Sequence, residues 1–238
     1  MVYNSAKLTS EIKEYALKVG ADLVGVVSSK VMDAFPKIWV GWTIQEYTKK
    51  TTEIMSDAKS VVVLGYHVWD DILEVAVRKS DKWIYLGYLP LRIAQMKVIQ
   101  FLRNKGFKAV SVDSLSLKRL AQLAGFGNFG KSSLIINPIY GPWIRFAVIL
   151  TNAELIPDKP FEEDLCEDCE ECVKACPVGA LTPYRVDDTK CLVGIHLTEI
   201  QSTNYMELIR RYEPSLTENS HLMCTECQKA CKYGRIRR

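Results

Sequence analysis

Apolar residues alternate between helical and strand-like spacing through much of the chain. Over about residues 8–19 they recur three and four positions apart, which predicts an amphipathic helix that ends at Gly20. The β-branched stretches ADLVGVVS and SVVVLGY, residues 21–28 and 60–66, predict two strands. The pattern assigns no element to residues 30–57.

The same alternation continues to about residue 151. Residues 90–106 predict a long helix with Pro90 at its start, and FKAVSVD, residues 107–113, predicts a strand. A short helix over 115–124 precedes SSLIINPIYGPWIRFAVILT, residues 132–151, which predicts strand, turn and strand. Helices alternating with strands predict an α/β fold in which a central sheet is covered by helices.

The loop GFGNFGKSS, residues 125–133, fits two nucleotide-binding patterns at once. Gly125, Gly127 and Gly130 match G-x-G-x-x-G, and the same stretch through Lys131 and Ser132 matches G-x-x-x-x-G-K-S. Both loops need a buried strand before them and a helix after them. Here a helix comes before and strands come after. The order favours a glycine cap on the helix, with backbone passing close to another group.

Composition predicts the cellular compartment of the protein and a boundary between two domains. The 238 residues suffice for one large domain or two small ones, and the net charge of +3 does not by itself indicate nucleic acid. There is no apolar run of membrane length and no signal-peptide core, so we expect a cytoplasmic protein with no membrane partner. All eight cysteines follow residue 165, beyond the Pro-rich, acidic stretch NAELIPDKPFEED. We predict an α/β cofactor domain over 1–156 and a cysteine-rich domain over 157–238.

The cysteines have ferredoxin spacing. CEDCEECVKACP, residues 166–177, is C-x2-C-x2-C-x3-C-P, the run that binds [4Fe–4S] clusters in bacterial ferredoxins. A second set is incomplete and more widely spaced. Together they supply eight ligands, enough for two [4Fe–4S] clusters: Cys166, Cys169, Cys172, Cys176, Cys191, Cys224, Cys227 and Cys231.

Zinc is the alternative metal. Zinc ribbons use two separated C-x2-C pairs, and four cysteines in one short run that ends in Cys-Pro do not suit that geometry. In two-cluster ferredoxins the fourth cysteine of the run binds the other cluster. This crossed logic predicts a first cysteine group of Cys166, Cys169, Cys172 and Cys231. It predicts a second cysteine group of Cys176, Cys191, Cys224 and Cys227.

Several motifs resemble those of the epoxyqueuosine reductases, which are related to the reductive dehalogenases. They are VDS at 112–114, LAGFGNFGKSSLIINPIYGPW at 123–143, PVGAL after the ferredoxin run, and DDTKCLVGIHLTEI at 187–200. The resemblance implies a nitroreductase-like α/β domain that carries cobalamin and receives electrons from two [4Fe–4S] clusters. It also implies that the glycine loop borders the corrinoid rather than a nucleotide. The candidate cofactor-binding residues are Gly125, Gly127, Gly130, Lys131 and Ser132.

The resemblance assigns a catalytic role to Asp113, which would donate a proton to the substrate near the corrinoid face. A carboxyl group can serve as that acid if burial raises its pKa. From the residues alone, Asp113 or Ser114 could instead cap the helix at 115–124. Both readings place this side chain at the end of a predicted strand.

The chain also departs from the family. The interval between Asp113 and the glycine loop is about two residues shorter than usual. The sequence after the last cysteine, CKYGRIRR, has neither the usual Pro-Trp nor the extended region that helps hold tRNA, which makes a tRNA substrate doubtful.

Three functions remain open on this basis. The first is a cobalamin-dependent reductase supplied by a low-potential donor such as ferredoxin or flavodoxin. The second is an electron-transfer or corrinoid-handling protein with no organic substrate of its own. The third is an iron–sulfur reductase that holds FMN in the same α/β domain.

Overall fold

The computed structural model of the chain describes residues 4–40, 46–80, 82–195 and 203–234. Its helices are α1 (Ser5–Lys18), α2 (Ser29–Ala34), α3 (Thr51–Ile54), α4 (Tyr88–Asn104), α5 (Leu117–Leu123), α6 (Glu171–Lys174), α7 (Leu192–Ile195), α8 (Thr203–Tyr212) and α9 (Glu226–Lys229). Its strands are β1 (Leu23–Ser28), β2 (Trp39–Val40), β3 (Glu46–Tyr47), β4 (Ser60–His67), β5 (Val75–Lys79), β6 (Lys82–Tyr85), β7 (Ala109–Val112), β8 (Asn128–Phe129), β9 (Ile135–Ile136), β10 (Ile144–Thr151), β11 (Leu181–Thr182), β12 (Arg185–Val186), β13 (Ser215–Thr217) and β14 (Ser220–Leu222). None of the helices in the described ranges has both the length and the apolarity needed to cross a bilayer.

Two compact units make up the structure, and each is assembled from three stretches of chain. The first unit comprises Met1–His67, Pro90–Gly127 and Arg145–Glu162. The second comprises Val68–Leu89, Asn128–Ile144 and Glu163–Arg238. The sequence predicts two continuous domains, 1–156 and 157–238, and that division stays a prediction. The compact units differ from it because two inserted segments group with the cysteine-rich end.

A four-stranded sheet forms the centre of the first unit, in the order β1-β4-β10-β7. Strand β1 runs antiparallel to β4, and β7 runs antiparallel to β10. The side chains of Val26, Val62 and Val148 are wholly buried in these strands. The predicted strands at 21–28, 60–66 and 107–113 are thus confirmed, as is the strand that ends the 132–151 stretch.

Helix ends deviate from the apolar pattern because capping, not periodicity, sets them. Helix α1 begins at Ser5, earlier than predicted, since the Asn4 side chain accepts the Lys7 N–H at 3.0 Å. Helix α4 begins at Tyr88, two residues before Pro90, and ends at Asn104. The two predicted helices are confirmed in place and type.

The segment to which the apolar pattern assigns no element contains short elements fixed by distant hydrogen bonds. The carboxylate of Asp33, in α2, accepts the N–H groups of Thr51 and Thr52 at 2.6 and 3.2 Å. It caps α3 from 18 residues away in the chain. No local hydrophobic period encodes such a contact, so pattern reading could not find it.

The second unit has its own antiparallel sheet, in the order β13-β14-β5-β6. Helices α6 and α9 contact each other, and each contains one cysteine, Cys172 in α6 and Cys227 in α9. Each of these one-turn helices thus holds the second cysteine of a C-x2-C pair.

Candidate iron–sulfur centre and glycine loop

A tight turn shapes the start of the cysteine run. The Asp164 carboxylate accepts the N–H of Cys166 at 2.9 Å, and the Cys169 N–H donates to the Cys166 carbonyl at 2.8 Å. Between them Glu167 has a φ of 46°, in the left-handed region. The hydrogen bond from Cys166 lowers the pKa of Asp164, so this side chain holds the turn as a carboxylate.

One cavity of the second unit is bordered by the sulfur-bearing residues of the first cysteine group. Cys166, Cys169, Cys172 and Cys231 line it. Burial raises the pKa of the Cys172 thiol to about 11, and the neighbouring cysteines of the group contribute to that rise. The structure thus brings together the four cysteines that the crossed spacing assigns to one cluster.

Burial also acts on three thiols of the second cysteine group. Burial raises the pKa of Cys224 to about 12, and it also raises the pKa of Cys191 and Cys227. After burial, the other members of the second group, Cys224, Cys191 and Cys176, raise the pKa of Cys227, and Cys172 of the first group follows them. The Cys176 sulfur accepts the N–H of Ala180 at 3.2 Å. The predicted second group therefore lies together around Cys227.

The chemistry of these donors fits iron–sulfur clusters. All eight cysteines are free thiols. Where burial raises the pKa, at Cys172, Cys191, Cys224 and Cys227, it opposes ionisation unless a cation compensates for the negative charge. Within the described ranges, no three His, Cys, Asp or Glu side chains converge on the position of a single metal ion. In the first group the cysteines instead surround a cavity, the arrangement that a multi-atom cluster requires.

A buried carboxylate accompanies the second group. The Glu213 side chain is wholly buried, and its Oε1 accepts the N–H of Cys224 at 3.0 Å. Sequence reading missed Glu213, because its position eleven residues before Cys224 has no periodic or motif signal. Its burial is the feature that reveals it, and burial is a tertiary property.

The glycine loop follows a capped helix and enters a hairpin. Gly125 has a φ of 81°, its N–H donates to the Gln122 carbonyl, and the Phe126 N–H donates to the Ala121 carbonyl at 3.0 Å. This pair of bonds is a Schellman cap on α5. Strands β8 and β9 then pair antiparallel. The predicted order of helix before and strands after is confirmed, and neither phosphate-binding geometry is present.

Gly130 and Lys131 lie against the cysteine run. A Cβ atom added to Gly130 would meet Ile136 side-chain carbons and would lie 3.3 Å from the Cys166 sulfur. The Lys131 N–H donates to that sulfur at 3.4 Å, and its carbonyl accepts the Tyr184 N–H. Their predicted contact with a corrinoid stays a prediction. The structure gives both residues a role beside the first cysteine group.

The other loop residues have separate positions. A Cβ at Gly125 would lie 2.9 Å from the Lys159 carbonyl oxygen, so its lack of a side chain already serves the packing of the first unit. Gly127 has a φ of 156°, at the limit of the region that favours glycine. Ser132 is buried and borders the cavity of the first cysteine group. Of the five predicted cofactor contacts, Gly127 is the one to which the structure gives no other role.

Gly130→Ala should destabilise the protein and loosen the first cluster. The new methyl group overlaps Ile136 and crowds Cys166, and overpacking of this kind costs about 1–3 kcal/mol. Thermal unfolding and iron analysis of reconstituted protein would measure both effects. The matched control is Ser133→Gly in the same loop, where φ is 60° and glycine relieves strain. Unchanged stability and iron content in Gly130→Ala would contradict this packing account.

Asp113 lies at the end of β7, where the sequence placed it, but its carboxylate is exposed. Arg92 Nη2 donates to Asp113 Oδ1 at 2.7 Å, and the Asp113 side chain is 54% exposed. Arg92 Nη1 also bonds Gln95 Oε1 at 2.9 Å. The wholly enclosed Gln95 amide in turn donates to the Val148 carbonyl. A chain of polar contacts thus connects Asp113 to the central sheet, and Arg92 is a site residue that sequence reading missed.

The role of Asp113 as an acid buried beside a corrinoid stays a prediction. Its carboxylate faces solvent and an arginine. The reason is local: the strand ends at Val112, so the following residue passes beyond the edge of the sheet. The Ser114 carbonyl accepts the Lys49 N–H at 2.9 Å, which fixes the start of the loop. The alternative of a cap is not shown either, since α5 has Ser116 at its N-cap without a side-chain hydrogen bond.

Comparison with known proteins agrees with this geometry. A family model described as a 4Fe-4S double cluster binding domain matches residues 165–234, the stretch that contains all eight cysteines. Over 53% of this chain, an epoxyqueuosine reductase of Listeria monocytogenes is 36% identical. One of Prochlorococcus marinus is 27% identical over 97% of the chain. The chain is thus similar in sequence to epoxyqueuosine reductases.

Solved epoxyqueuosine reductases share the fold. The Bacillus subtilis enzyme, solved with its catalytic aspartate loop swung out of the active site, matches 98% of this chain with a TM-score of 0.73 and 21% identity. A structure with an epoxyqueuosine-modified tRNA stem loop matches the same share, at 0.74 and 22%. A reductive dehalogenase matches 99% of the chain, at 0.65 and 19%. The α/β fold with an iron–sulfur domain is thus that of the epoxyqueuosine reductases and the dehalogenases.

The alignments cover unequal shares of the relatives. This chain spans 31% of the Listeria epoxyqueuosine reductase, 80% of the Prochlorococcus one and 66% of the Bacillus structure. The dehalogenase is matched over 33% of its length. Similarity to the epoxyqueuosine reductases thus supports the fold and the double-cluster domain of this chain. Its activity has to be argued from the residues of the site.

Proposed function

We propose that this chain is an iron–sulfur reductase whose two [4Fe–4S] clusters pass single electrons to a corrinoid and on to an organic substrate. The observation that carries the proposal is the gathering of two cysteine groups within the stretch that matches a double-cluster domain. The first group would hold one cluster and the second group the other. An additional α/β unit with the epoxyqueuosine reductase fold supports a function beyond that of a ferredoxin.

A corrinoid is the cofactor that the relatives favour. A reductive dehalogenase of the same fold is described as B12-dependent. Within the first unit, Asp113 presents an exposed carboxylate and Gly127 a backbone without a side chain, and both features fit a large planar ligand. When bound, the corrinoid would supply the substrate with low-potential electrons. FMN is the alternative occupant, and optical spectra distinguish the two.

Asp113 would supply the proton that reduction of a carbon–oxygen bond requires. To do so its carboxyl must leave the ion pair with Arg92, whose guanidinium occupies Oδ1. The catalytic aspartate loop of the Bacillus relative was captured away from its active site. By analogy, the exposed position of Asp113 would be a resting position of the loop after β7.

The names of the relatives also suggest a class of substrate. Their name specifies an epoxide on a modified nucleoside, and one was solved with a tRNA stem loop. We propose an epoxide or a similar reducible carbon–oxygen bond as the reacting group. A low-potential protein such as ferredoxin or flavodoxin would be the donor.

The Arg92 contact also favours a second candidate. An aspartate that stays paired with an arginine delivers no proton, as befits a protein that only reduces a corrinoid for another enzyme. Such a protein needs the clusters but no acid at position 113.

One experiment separates the two functions. Anaerobic protein loaded with clusters and cobalamin would be mixed with a low-potential reductant and an epoxyqueuosine-containing stem loop or nucleoside, and the products weighed by mass spectrometry. Loss of the epoxide oxygen supports the reductase. Reduced cobalt with unchanged substrate supports the electron carrier, and absence of corrinoid binding contradicts both.

A further inference from the structure

Partners other than Asp113 hold the Arg92 guanidinium in place. Its Nη1 donates to Gln95 Oε1 at 2.9 Å and to Ser111 Oγ at 3.2 Å. Gln95 is 1% exposed, and its amide nitrogen donates to the Val148 carbonyl at 2.7 Å. That bond orients the amide so that its oxygen is the group that meets Nη1. The central sheet of the first unit thus fixes one side of the guanidinium.

The other terminal nitrogen of Arg92 meets a partner that is weakly held. Nη2 donates to Asp113 Oδ1 at 2.7 Å. The Arg92 and Asp113 side chains are 38% and 54% exposed, so water and salt screen their attraction and the pair contributes little to stability. A nearly enclosed amide therefore supports a guanidinium whose carboxylate partner can leave at little cost.

A guanidinium positioned in this way can bind an anion. Its nitrogens match the oxygens of a phosphate or a carboxylate, and its charge strengthens each hydrogen bond. Since Gln95 and Ser111 hold Nη1, Arg92 keeps its position when Asp113 leaves. Little side-chain freedom is then lost when Nη2 donates to another anion. The arrangement allows one anion to replace another at the same nitrogen.

The substrate class proposed above can supply the second anion. An epoxide is uncharged and gives a guanidinium no ion to bind, whereas a nucleotide that carries the epoxide has a phosphate group on its sugar. Asp113 would be the acid of the reaction, and it has to leave Arg92 to act. A phosphate on Arg92 would therefore free the acid when the substrate is present.

We propose that Arg92 binds a phosphate group of the substrate in exchange for Asp113, so that substrate binding releases the carboxyl group that donates the proton. The inference rests on the proposed reductase function. The hydrogen bond from Nη2 to Asp113 Oδ1 breaks, and one from Nη2 to a phosphate oxygen forms. No electron or proton moves in this step.

Binding measurements test the exchange without turnover. The cluster-loaded chain would be titrated calorimetrically, at low salt, with the epoxyqueuosine nucleoside and with its 5′-monophosphate. We expect the monophosphate to bind about tenfold more tightly, the scale of one hydrogen bond between charged groups. Arg92→Gln should remove this preference, and Arg92→Lys should keep part of it because the charge stays. Lys108→Gln, which breaks the exposed pair with Asp57, should leave the preference unchanged.

Asp113→Asn separates the exchange from a structural role of the ion pair, because it removes the competing anion and leaves Arg92 in place. Its affinity for the monophosphate should rise about two- to fivefold, the range for an exposed ion pair. Asp57→Asn should show no rise. Unchanged or lower affinity in Asp113→Asn would overturn the proposal, as would equal binding, or no binding, of the two probes by the unaltered chain.

Turnover of the two probes is recorded separately. With a reductant and cobalamin, Arg92→Gln should bring the KM of the monophosphate to that of the nucleoside. An equal rise in KM for both probes would contradict a phosphate contact. If the monophosphate binds as expected and its epoxide is not reduced, the reductase function fails while the anion site stands.

Discussion

Asp113→Asn should lower substrate turnover by about 10²–10⁴-fold, the range that general acid catalysis contributes. The amide keeps the size of the side chain but has no acidic proton to give to the departing oxygen. Iron content and corrinoid binding should not change, because the Asp113 side chain is exposed and its ion pair is a surface contact. Anaerobic turnover with excess reductant, measured beside both cofactor contents, tests the prediction.

The control for Asp113→Asn is a matched aspartate of the same unit. Asp57 is 42% exposed and pairs with Lys108 at 2.9 Å, which resembles the Asp113–Arg92 pair. Asp57→Asn should therefore retain full turnover. Full turnover in Asp113→Asn would show that Asp113 is not the acid of the mechanism. If the unaltered chain reduces cobalt normally but turns over no substrate, the protein is an electron carrier.

Cys191→Ala should abolish one cluster and stop electron delivery. Cys191 lies near Cys176 and the other members of the second group, so its loss leaves that cluster with three ligands. We expect about four iron and four sulfide to remain per chain. Reduction of the corrinoid by the protein donor should be lost, since a path through two clusters is interrupted.

Comparison with a ligand of the first group makes this result specific. Cys169→Ala should remove the other cluster and leave the second group intact. Equal loss of both clusters in each variant would mean that the cysteines pair differently or that the unit needs both clusters to fold. Far-ultraviolet circular dichroism separates these two outcomes.

The sequence predicted the features that depend on local pattern. Period-two and period-3.6 spacing located α4, β1 and β4, and the order of helix and strands argued correctly against a phosphate loop at Gly130. Cysteine spacing separated the ligands into two groups of four. Sequence reading finds these features because each depends on residues that lie only a few positions apart in the chain.

Tertiary features escaped prediction for a physical reason. Glu213 gains its role from its burial and from the hydrogen bond that it accepts from the Cys224 N–H. Arg92 meets Asp113 from another element, and no local pattern signals this ion pair. Nothing in the local sequence distinguishes such residues from ordinary surface charges.

The content of iron, acid-labile sulfide and corrinoid in the anaerobically reconstituted chain tests the central claim most directly. The account predicts about eight iron and eight sulfide per chain, together with the optical spectrum of a bound corrinoid after gel filtration. Zinc without sulfide, or a flavin spectrum in place of the corrinoid, would contradict it.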